Sequence, residues 1–152
     1  MTVSELMTTG VQTVSPGTPL ANARDRMRRK EIHHLLVQKG DQVVGVLSAR
    51  DLGRNAHPGN TTKGRLVADV MTPRVVTVEQ ATSVHRAANL MRGHSIGCLI
   101  VLEQGRAVGI LTVADLLDHV GGRRRHRRDT HTPPALHFRV PHKKQHRAGG
   151  AW

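Results

Sequence analysis

The chain has 152 residues and a formal net charge of +12, from 23 Lys and Arg against 11 Asp and Glu. This length suits one domain, or two small halves that share a core. No apolar stretch approaches the roughly 20 residues of a membrane-spanning helix, and a single cysteine excludes an intrachain disulfide. The first residues lack a secretory signal pattern, so we expect a cytoplasmic protein that does not associate with membranes.

The first predicted elements are a short helical turn, a brief extended piece and a helix. The turn covers residues 4–7, and the extended piece at 11–14 is rich in β-branched residues, which favour strands. Thr18 is predicted to cap a helix that has Pro19 in its first position, an apolar stripe along one face and its end near Lys30.

A hairpin and a closing helix complete this unit. The apolar residues 35–37 and 43–47 predict two strands, joined by a turn around Gly40. A closing helix is expected to begin after Ser48. The predicted order is therefore β-α-β-β-α.

The same order occurs twice, because residues 3–52 align with residues 67–116 at a constant offset of 64. Of these 50 pairs, 18 are identical. Each half has about 55 residues, which is marginal for a core of its own. We therefore predict a duplicated unit whose halves pack together and are related by a pseudo-twofold axis.

The rest of the chain is predicted to be a linker and a tail. We place the first domain at 1–57, the linker at 58–66, the second domain at 67–121 and the tail at 122–152. Residues 121–152 hold 9 of the 23 basic residues and 1 of the 11 acidic ones. A tail of this composition, without sustained periodicity, is expected to be disordered.

Both copies share the pattern Gly-x-x-(Ser/Thr)-x-x-Asp at the start of the closing helix. The residues are Gly45, Ser48 and Asp51 in the first copy, and Gly109, Thr112 and Asp115 in the second. A Ser or Thr three residues before an acidic residue is a common helix cap. The same helix N-terminus also offers free N–H groups to a phosphate, so capping and ligand binding are both open and mutually compatible.

The duplicated pattern resembles a pair of cystathionine-β-synthase (CBS) domains, the tandem arrangement called a Bateman module. The resemblance covers about residues 1–120. It rests on the element order, the Met-Thr pair that opens each copy, the stretch Ile96–Leu99 and the two Gly-x-x-(Ser/Thr)-x-x-Asp motifs. It implies a mixed α/β (α+β) fold of two β-α-β-β-α CBS repeats with a basic C-terminal tail.

The resemblance also implies a ligand. Members of this family bind adenine nucleotides or related adenosyl compounds in clefts between the repeats, so AMP, ADP, ATP or another adenosyl compound is expected here. The Asp of each motif would bind ribose hydroxyls and the Ser or Thr would approach phosphate. A homodimer is likewise implied by the resemblance.

Further binding candidates lie around these motifs. Gly45 and Gly109 are interpreted either as strand bulges or as places where a flat base approaches the backbone. Thr13 and Thr77, in the first strand of each copy, join the predicted ligand-binding residues.

His33 and His34 are adjacent, and neighbouring strand residues point to opposite faces, so a shared metal ion is not expected. His34 is predicted to be structural. His33 is a candidate for a phosphate contact, and so is Arg50, beside Asp51. Because Ala114 stands in place of Arg50 in the second copy, the two clefts are predicted to differ.

The sequence does not favour catalysis. It has no recognisable nucleophile–base pattern and no phosphate-binding loop of the Walker type, and Cys98 is expected to be a buried thiol. We therefore predict a stand-alone regulatory module, not an enzyme, that needs no cofactor and signals to an unknown effector protein. The alternative is a nucleic-acid-associated protein that binds through its basic tail, with the folded part as a dimerisation core.

Overall fold

The computed structural model describes residues 1–54 and 63–122. Most of the predicted linker and nearly all of the predicted basic tail lie outside these residues. The described part contains the two predicted repeats.

Each repeat opens with a short 3₁₀ turn, at Val3–Glu5 and at Val67–Asp69. The first repeat continues with these strands and helices: β1 Thr8–Thr9, β2 Thr13–Val14, α1 Leu20–Lys30, β3 His34–Lys39, β4 Gln42–Ser48 and α2 Ala49–Arg54. The second repeat follows the same plan with β5 Thr77–Glu79, α3 Val84–His94, β6 Cys98–Glu103, β7 Arg106–Thr112 and α4 Val113–Val120. The predicted element order is therefore confirmed in both copies.

The strands form one sheet in the order β2-β3-β4 and another in the order β1-β7-β6-β5. Strand β2 runs parallel to β3 in one sheet, as β5 does to β6 in the other, and the hairpins β3–β4 and β6–β7 are antiparallel. The register repeats at the same offset, because His34 faces Ser48 and Cys98 faces Thr112.

The opening segments cross between the repeats. Strand β1 belongs to the second repeat's sheet, where Thr8 pairs with Ile110 of β7. In return, Thr72 and Val46 exchange two backbone hydrogen bonds of 2.9 and 3.0 Å. These reciprocal contacts are what a pseudo-twofold relation between the repeats requires.

The core reflects the same exchange. Val3 is fully buried in the second repeat's core, and Val67 is fully buried in the first repeat's core. A third buried cluster joins the two repeats through facing sheet residues: Leu36, Val43, Val46, Ile100, Leu102, Ala107 and Ile110. Each repeat thus completes the core of the other, as the small size of each half led us to expect.

The predicted start of the first long helix is wrong by one position. Helix α1 begins at Leu20 with Pro19 in the cap position, and no side chain caps it. The Thr18 hydroxyl instead lies 2.9 Å from the hydroxyl of Ser15. In the second repeat Ser83 replaces Pro19, and its hydroxyl accepts a hydrogen bond from the backbone N–H of Arg86 at 3.2 Å.

Candidate functional site

The first Ser-x-x-Asp motif lies where β4 ends and α2 begins. The backbone N–H of Ser48 donates to Oδ2 of Asp51 at 2.9 Å, and the backbone N–H of Asp51 donates to the Ser48 hydroxyl at 3.0 Å. This is a capping box, which satisfies two backbone donors at the helix start. Both side chains are half-buried, while the neighbouring Arg50 is exposed.

The second motif has the same geometry but is more enclosed. The backbone N–H and the hydroxyl of Thr112 donate to Oδ2 of Asp115 at 2.7 and 2.8 Å. Asp115 is only 3% exposed and Thr112 only 7%. The capping interpretation is therefore confirmed at both motifs, and binding of a ligand by these four residues stays a prediction.

The two motif glycines lie where the repeats join. A Cβ atom built on Gly45 would lie 2.9 Å from the carbonyl oxygen of Thr72 and 2.8 Å from the sulfur of Met71. A Cβ atom on Gly109 would lie 2.8 Å from the Thr8 carbonyl oxygen. The missing side chain therefore admits the backbone of the other repeat's opening segment.

Each glycine also follows a bulge, as one of the two sequence interpretations predicted. Val37 faces Gly45 and Gln38 faces Val43, so Val44 is the extra residue in β4. The second repeat has the corresponding shift after the pair of Val101 and Gly109. Contact between either glycine and a flat base stays a prediction.

His34 and Cys98 occupy equivalent positions at the start of the middle strands. Both are half-buried, and Cys98 packs against the cluster that joins the two repeats. Burial lowers the pKa of His34 below its ordinary value of 6.5, an effect that the carboxylate of Asp115 opposes. Burial also raises the pKa of the Cys98 thiol to about 11, and the negative charge of Asp51 adds to the rise.

These charge effects cross between the repeats. Asp115, on α4 of the second repeat, acts on His34 of the first, and Asp51, on α2 of the first repeat, acts on Cys98 of the second. The two carboxylates therefore act electrostatically on the equivalent positions His34 and Cys98. This arrangement has no local sequence pattern, because it links residues of different copies.

Three more predicted site residues, His33, Thr77 and Thr13, lie outside the two capping boxes. The side chain of His33 is exposed, and its carbonyl oxygen accepts a hydrogen bond from the N–H of Ala49 at 2.8 Å. Thr77 is half-buried and pairs with Ile100. Thr13 lines a depression on the first repeat whose lining includes none of the motif residues. Ligand contacts by these residues stay predictions.

The described residues show neither a metal-binding cluster nor a membrane-spanning helix. Among residues 1–54 and 63–122, no group of three or more His, Cys, Asp or Glu side chains is arranged to hold a metal ion. None of the helices in this part of the chain combines the length and apolar character that a membrane span requires.

Comparison with known protein families agrees with this geometry. The sequence model of the CBS domain matches residues 3–56 and again residues 67–122. The chain belongs to the CBS domain family. The resemblance to a pair of CBS domains is thus confirmed.

Curated relatives of this CBS pair differ in how much of their own length the pair covers. A CBS domain-containing protein of Dictyostelium discoideum is 34% identical over an alignment of 128 residues that covers 76% of this chain and 88% of that protein. The inosine-5'-monophosphate dehydrogenase of Thermoplasma acidophilum is 33% identical over 108 residues, which are 70% of this chain but only 21% of the enzyme. The chain thus spans about a fifth of that enzyme's length.

Solved structures share the fold. A putative signal-transduction protein with CBS domains from Burkholderia ambifaria has a TM-score of 0.71 and 27% identity, over 82% of this chain and 97% of that one. The CBS pair of protein MJ0100, in complex with 5'-methylthioadenosine and S-adenosylmethionine, has a TM-score of 0.69 and 21% identity, over 82% and 98%. A hexameric CBS-CP12 protein from cyanobacteria has a TM-score of 0.69 and 26% identity, over 83% and 76%.

Proposed function

We propose that this CBS pair is a regulatory module that binds an adenosyl ligand between its repeats. The observation that carries the proposal is the double junction at which an opening segment of one repeat meets the closing motif of the other. Thr72 is hydrogen-bonded to Val46, two residues before Ser48, and Thr8 pairs with Ile110, two residues before Thr112. A ligand at either motif would therefore lie beside both repeats.

The motif chemistry suits a nucleoside with a phosphate. An ionised Asp51 accepts hydrogen bonds from the two hydroxyls of a ribose without needing a proton of its own. The N-terminus of the closing helix carries partial positive charge, and the exposed guanidinium of Arg50 adds a full charge beside it. An adenine nucleotide supplies both the diol and the anion.

We place the working site at Ser48 and Asp51. These side chains are half-buried, so a ligand reaches them without a large rearrangement. Asp115 is almost fully buried, and Ala114 supplies no charge in place of Arg50. The two clefts therefore differ in both access and charge.

The comparisons support the class of ligand but not its identity. The CBS pair of protein MJ0100 was solved with 5'-methylthioadenosine and S-adenosylmethionine. Both compounds share adenine and ribose with AMP, ADP and ATP. We therefore propose an adenosyl ligand and leave its 5' substituent to experiment.

We further propose that the module works as a homodimer and acts on an effector protein, with no catalysis of its own. Helix α4 presents an exposed apolar stripe of Val113, Leu117 and Val120, which is suited to self-association. A ligand held by both repeats would change how they pack, and thereby the surface offered to a partner. The predicted nucleic-acid contact of the basic tail falls outside the described residues.

The proposal is tested by a thermal-shift screen of the full chain with AMP, ADP, ATP, S-adenosylmethionine, 5'-methylthioadenosine and NAD. We expect at least one adenosyl compound to raise Tm in proportion to the logarithm of its concentration above Kd. Adenine alone and uncharged ribose are the controls, because each lacks part of the ligand. If no adenosyl compound raises Tm above these controls, the proposed function is wrong.

A further inference from the structure

The first repeat carries a polar depression that the CBS clefts do not include. It lies between β2, α1 and the end of β3, and its volume is about 570 Å³, within the range of small-molecule sites. We call it the Arg26 depression; it is lined by Thr13, Val14, Ser15, Thr18, Asn22, Ala23, Arg26, Gln38 and Gly40. Strand β3 begins at His34, beside Ser48, and ends toward Gln38, so the depression lies at the other end of this strand from the Ser-x-x-Asp motif.

The duplication provides an internal comparison for this place in the fold. At the offset of 64 residues, Leu90 stands in place of Arg26 and Leu102 in place of Gln38. Leu102 is buried at 8% exposure, and Leu90 packs partly buried against the second repeat's core. The fold therefore accepts apolar packing at both positions, and the first repeat has polar side chains around open space instead.

Arg26 gives the depression a positive charge that its lining does not neutralise. Its Nη1 donates a hydrogen bond of 2.5 Å to the carbonyl oxygen of Thr13, which fixes the guanidinium at the edge of β2. A guanidinium has five N–H donors, so others remain for a ligand. No acidic side chain lines the depression, and the nearby Asp25 pairs with Arg28 and Arg29.

The other lining groups suit a hydroxylated ligand. The hydroxyls of Ser15 and Thr18 lie 2.9 Å apart, and the amide of Gln38 donates to the carbonyl oxygen of Gly40 at 2.5 Å. Asn22 adds a second side-chain amide. In the second repeat Glu79 stands in place of Ser15, which would repel an anion there.

We propose that the Arg26 depression binds a small polar anion, a phosphate or carboxylate group on a hydroxylated carbon skeleton. Arg26 holds the anionic group, and the hydroxyls and amides of the lining hold the rest. The site is present only in the first repeat and is independent of the adenosyl clefts.

The test is a titration of the full chain in which the ¹H–¹⁵N NMR signals of the lining residues are monitored. The probes are ribose 5-phosphate and gluconate, with uncharged ribose as a control, at constant chloride concentration. We expect a saturable shift of the Ser15 and Thr18 backbone amides and of the Gln38 side-chain amide with one charged probe and not with ribose. The probe that binds tells whether the group is a phosphate or a carboxylate.

The test variants replace a residue of the first repeat with the residue at the equivalent position of the second repeat. Arg26→Leu should weaken binding of that probe at least tenfold, while Arg24→Ala, which removes a charge from α1 outside the lining, should change it less than twofold. Gln38→Leu should also weaken binding and serves if Arg26→Leu lowers Tm. The proposal is overturned by the absence of saturable shifts, by equal binding of ribose, by equal effects of Arg26→Leu and Arg24→Ala, or by unchanged affinity in the folded Gln38→Leu variant.

Discussion

Single glycines allow the two repeats to join. At Gly45 the other repeat's backbone passes so close that a methyl group would meet the carbonyl oxygen of Thr72. A backbone carbonyl cannot rotate away as a flexible side chain does. The glycine in each motif is therefore required by the packing of the chain on itself.

Gly45→Ala should destabilise the protein by about 1–3 kcal/mol, the usual range for overpacking. Urea unfolding measures this change. The control is Gly93→Ala in α3, where a Cβ meets nothing within 4 Å and Ala is the better helix former. Equal stability of the Gly45→Ala variant and the wild type would contradict the close approach.

His34 should make the protein less stable in mild acid. Burial lowers its pKa in the folded chain, so the unfolded chain binds a proton first as the pH falls through about 6.5. The stability that the neutral imidazole contributes is present above pH 6.5 and is lost as the pH falls toward the lower folded pKa. The neighbouring charges are Asp115 on α4, Asp51 and Arg50 on α2, and His33.

The measurement is Tm from pH 8 to pH 5 for the wild type, His34→Gln and His33→Gln. We expect His34→Gln to reduce the drop in Tm below pH 6.5. The exposed His33 is the matched control: it acts on His34 only as a neighbouring charge, so its variant should keep most of the wild-type drop in Tm. Identical profiles for all three proteins would show that His34 is not the titrating group.

Residue roles were predictable where neighbours in sequence are neighbours in space. Ser48 and Asp51 are three residues apart, so their capping box follows from spacing alone. The charge effect of Asp115 on His34 links residues of different repeats and has no local signature. Thr18 does not cap α1 because Pro19, which follows it, takes the cap position itself.

At the scale of elements, the opening segments connect the repeats. Val3 belongs to the first repeat in sequence and to the second repeat's core in space. Its 3₁₀ turn is fixed by hydrogen bonds from Val3 and Ser4 to the carbonyl oxygens of Thr82 and Gln80, at 2.8 and 3.1 Å. A substitution at Val3 should therefore destabilise the second repeat more than the first.

Val3→Ala should cost about 2 kcal/mol, from two lost methyl-sized groups and the cavity they leave. Hydrogen exchange of backbone amides shows which repeat is destabilised. We expect faster exchange at Leu99 and Leu111 than at Leu35 and Leu47 in this variant. The mirror variant Val67→Ala should reverse the order, and the same order in both variants would contradict the exchange of opening segments.

The elements themselves were largely predictable because their periodicity is local. The hairpins, both long helices and the closing helices occur where apolar spacing and turn residues placed them. The partner of β1 was not predictable. A two-residue strand carries too little pattern to say that it pairs with β7 of the other copy.

Helix α4 should carry the proposed homodimer contact. Val113, Leu117 and Val120 follow a helical spacing, and Leu117 is 65% exposed. Leu117→Lys should shift the protein from dimer to monomer in size-exclusion chromatography with light scattering. The control His119→Lys lies on another face of α4 and should leave the mass unchanged. A dimer that persists in Leu117→Lys would place the contact elsewhere.

At the scale of the whole molecule, duplication has produced two similar halves with different surfaces. The folds and the capping boxes of the closing helices match, yet the first repeat has Arg50, His34 and Arg26 where the second has Ala114, Cys98 and Leu90. Because the two sites of this symmetric scaffold differ, the protein is suited to binding a ligand at one site in preference to both. The fold is thus shared between the halves, and the proposed binding chemistry belongs mainly to the first.

Ligand binding by the Asp51 carboxylate can be measured by calorimetric titration of the best adenosyl ligand from the thermal screen. The proteins titrated are the wild type, Asp51→Ala, Asp51→Asn and Asp115→Ala. Hydrogen bonds to a charged acceptor are worth about 1.5–3 kcal/mol, so Asp51→Ala should weaken binding about ten- to a hundredfold or more. Asp51→Asn should have a smaller effect because the amide oxygen still accepts, and Asp115→Ala should have the smallest.

The Tm of each variant without ligand separates binding from the loss of the cap, which should cost about 0.3–1 kcal/mol through the helix dipole. We expect Asp51→Ala to lose affinity while the protein stays folded. Unchanged affinity in both Asp51→Ala and Asp115→Ala, with Tm near that of the wild type, would show that these carboxylates only cap helices.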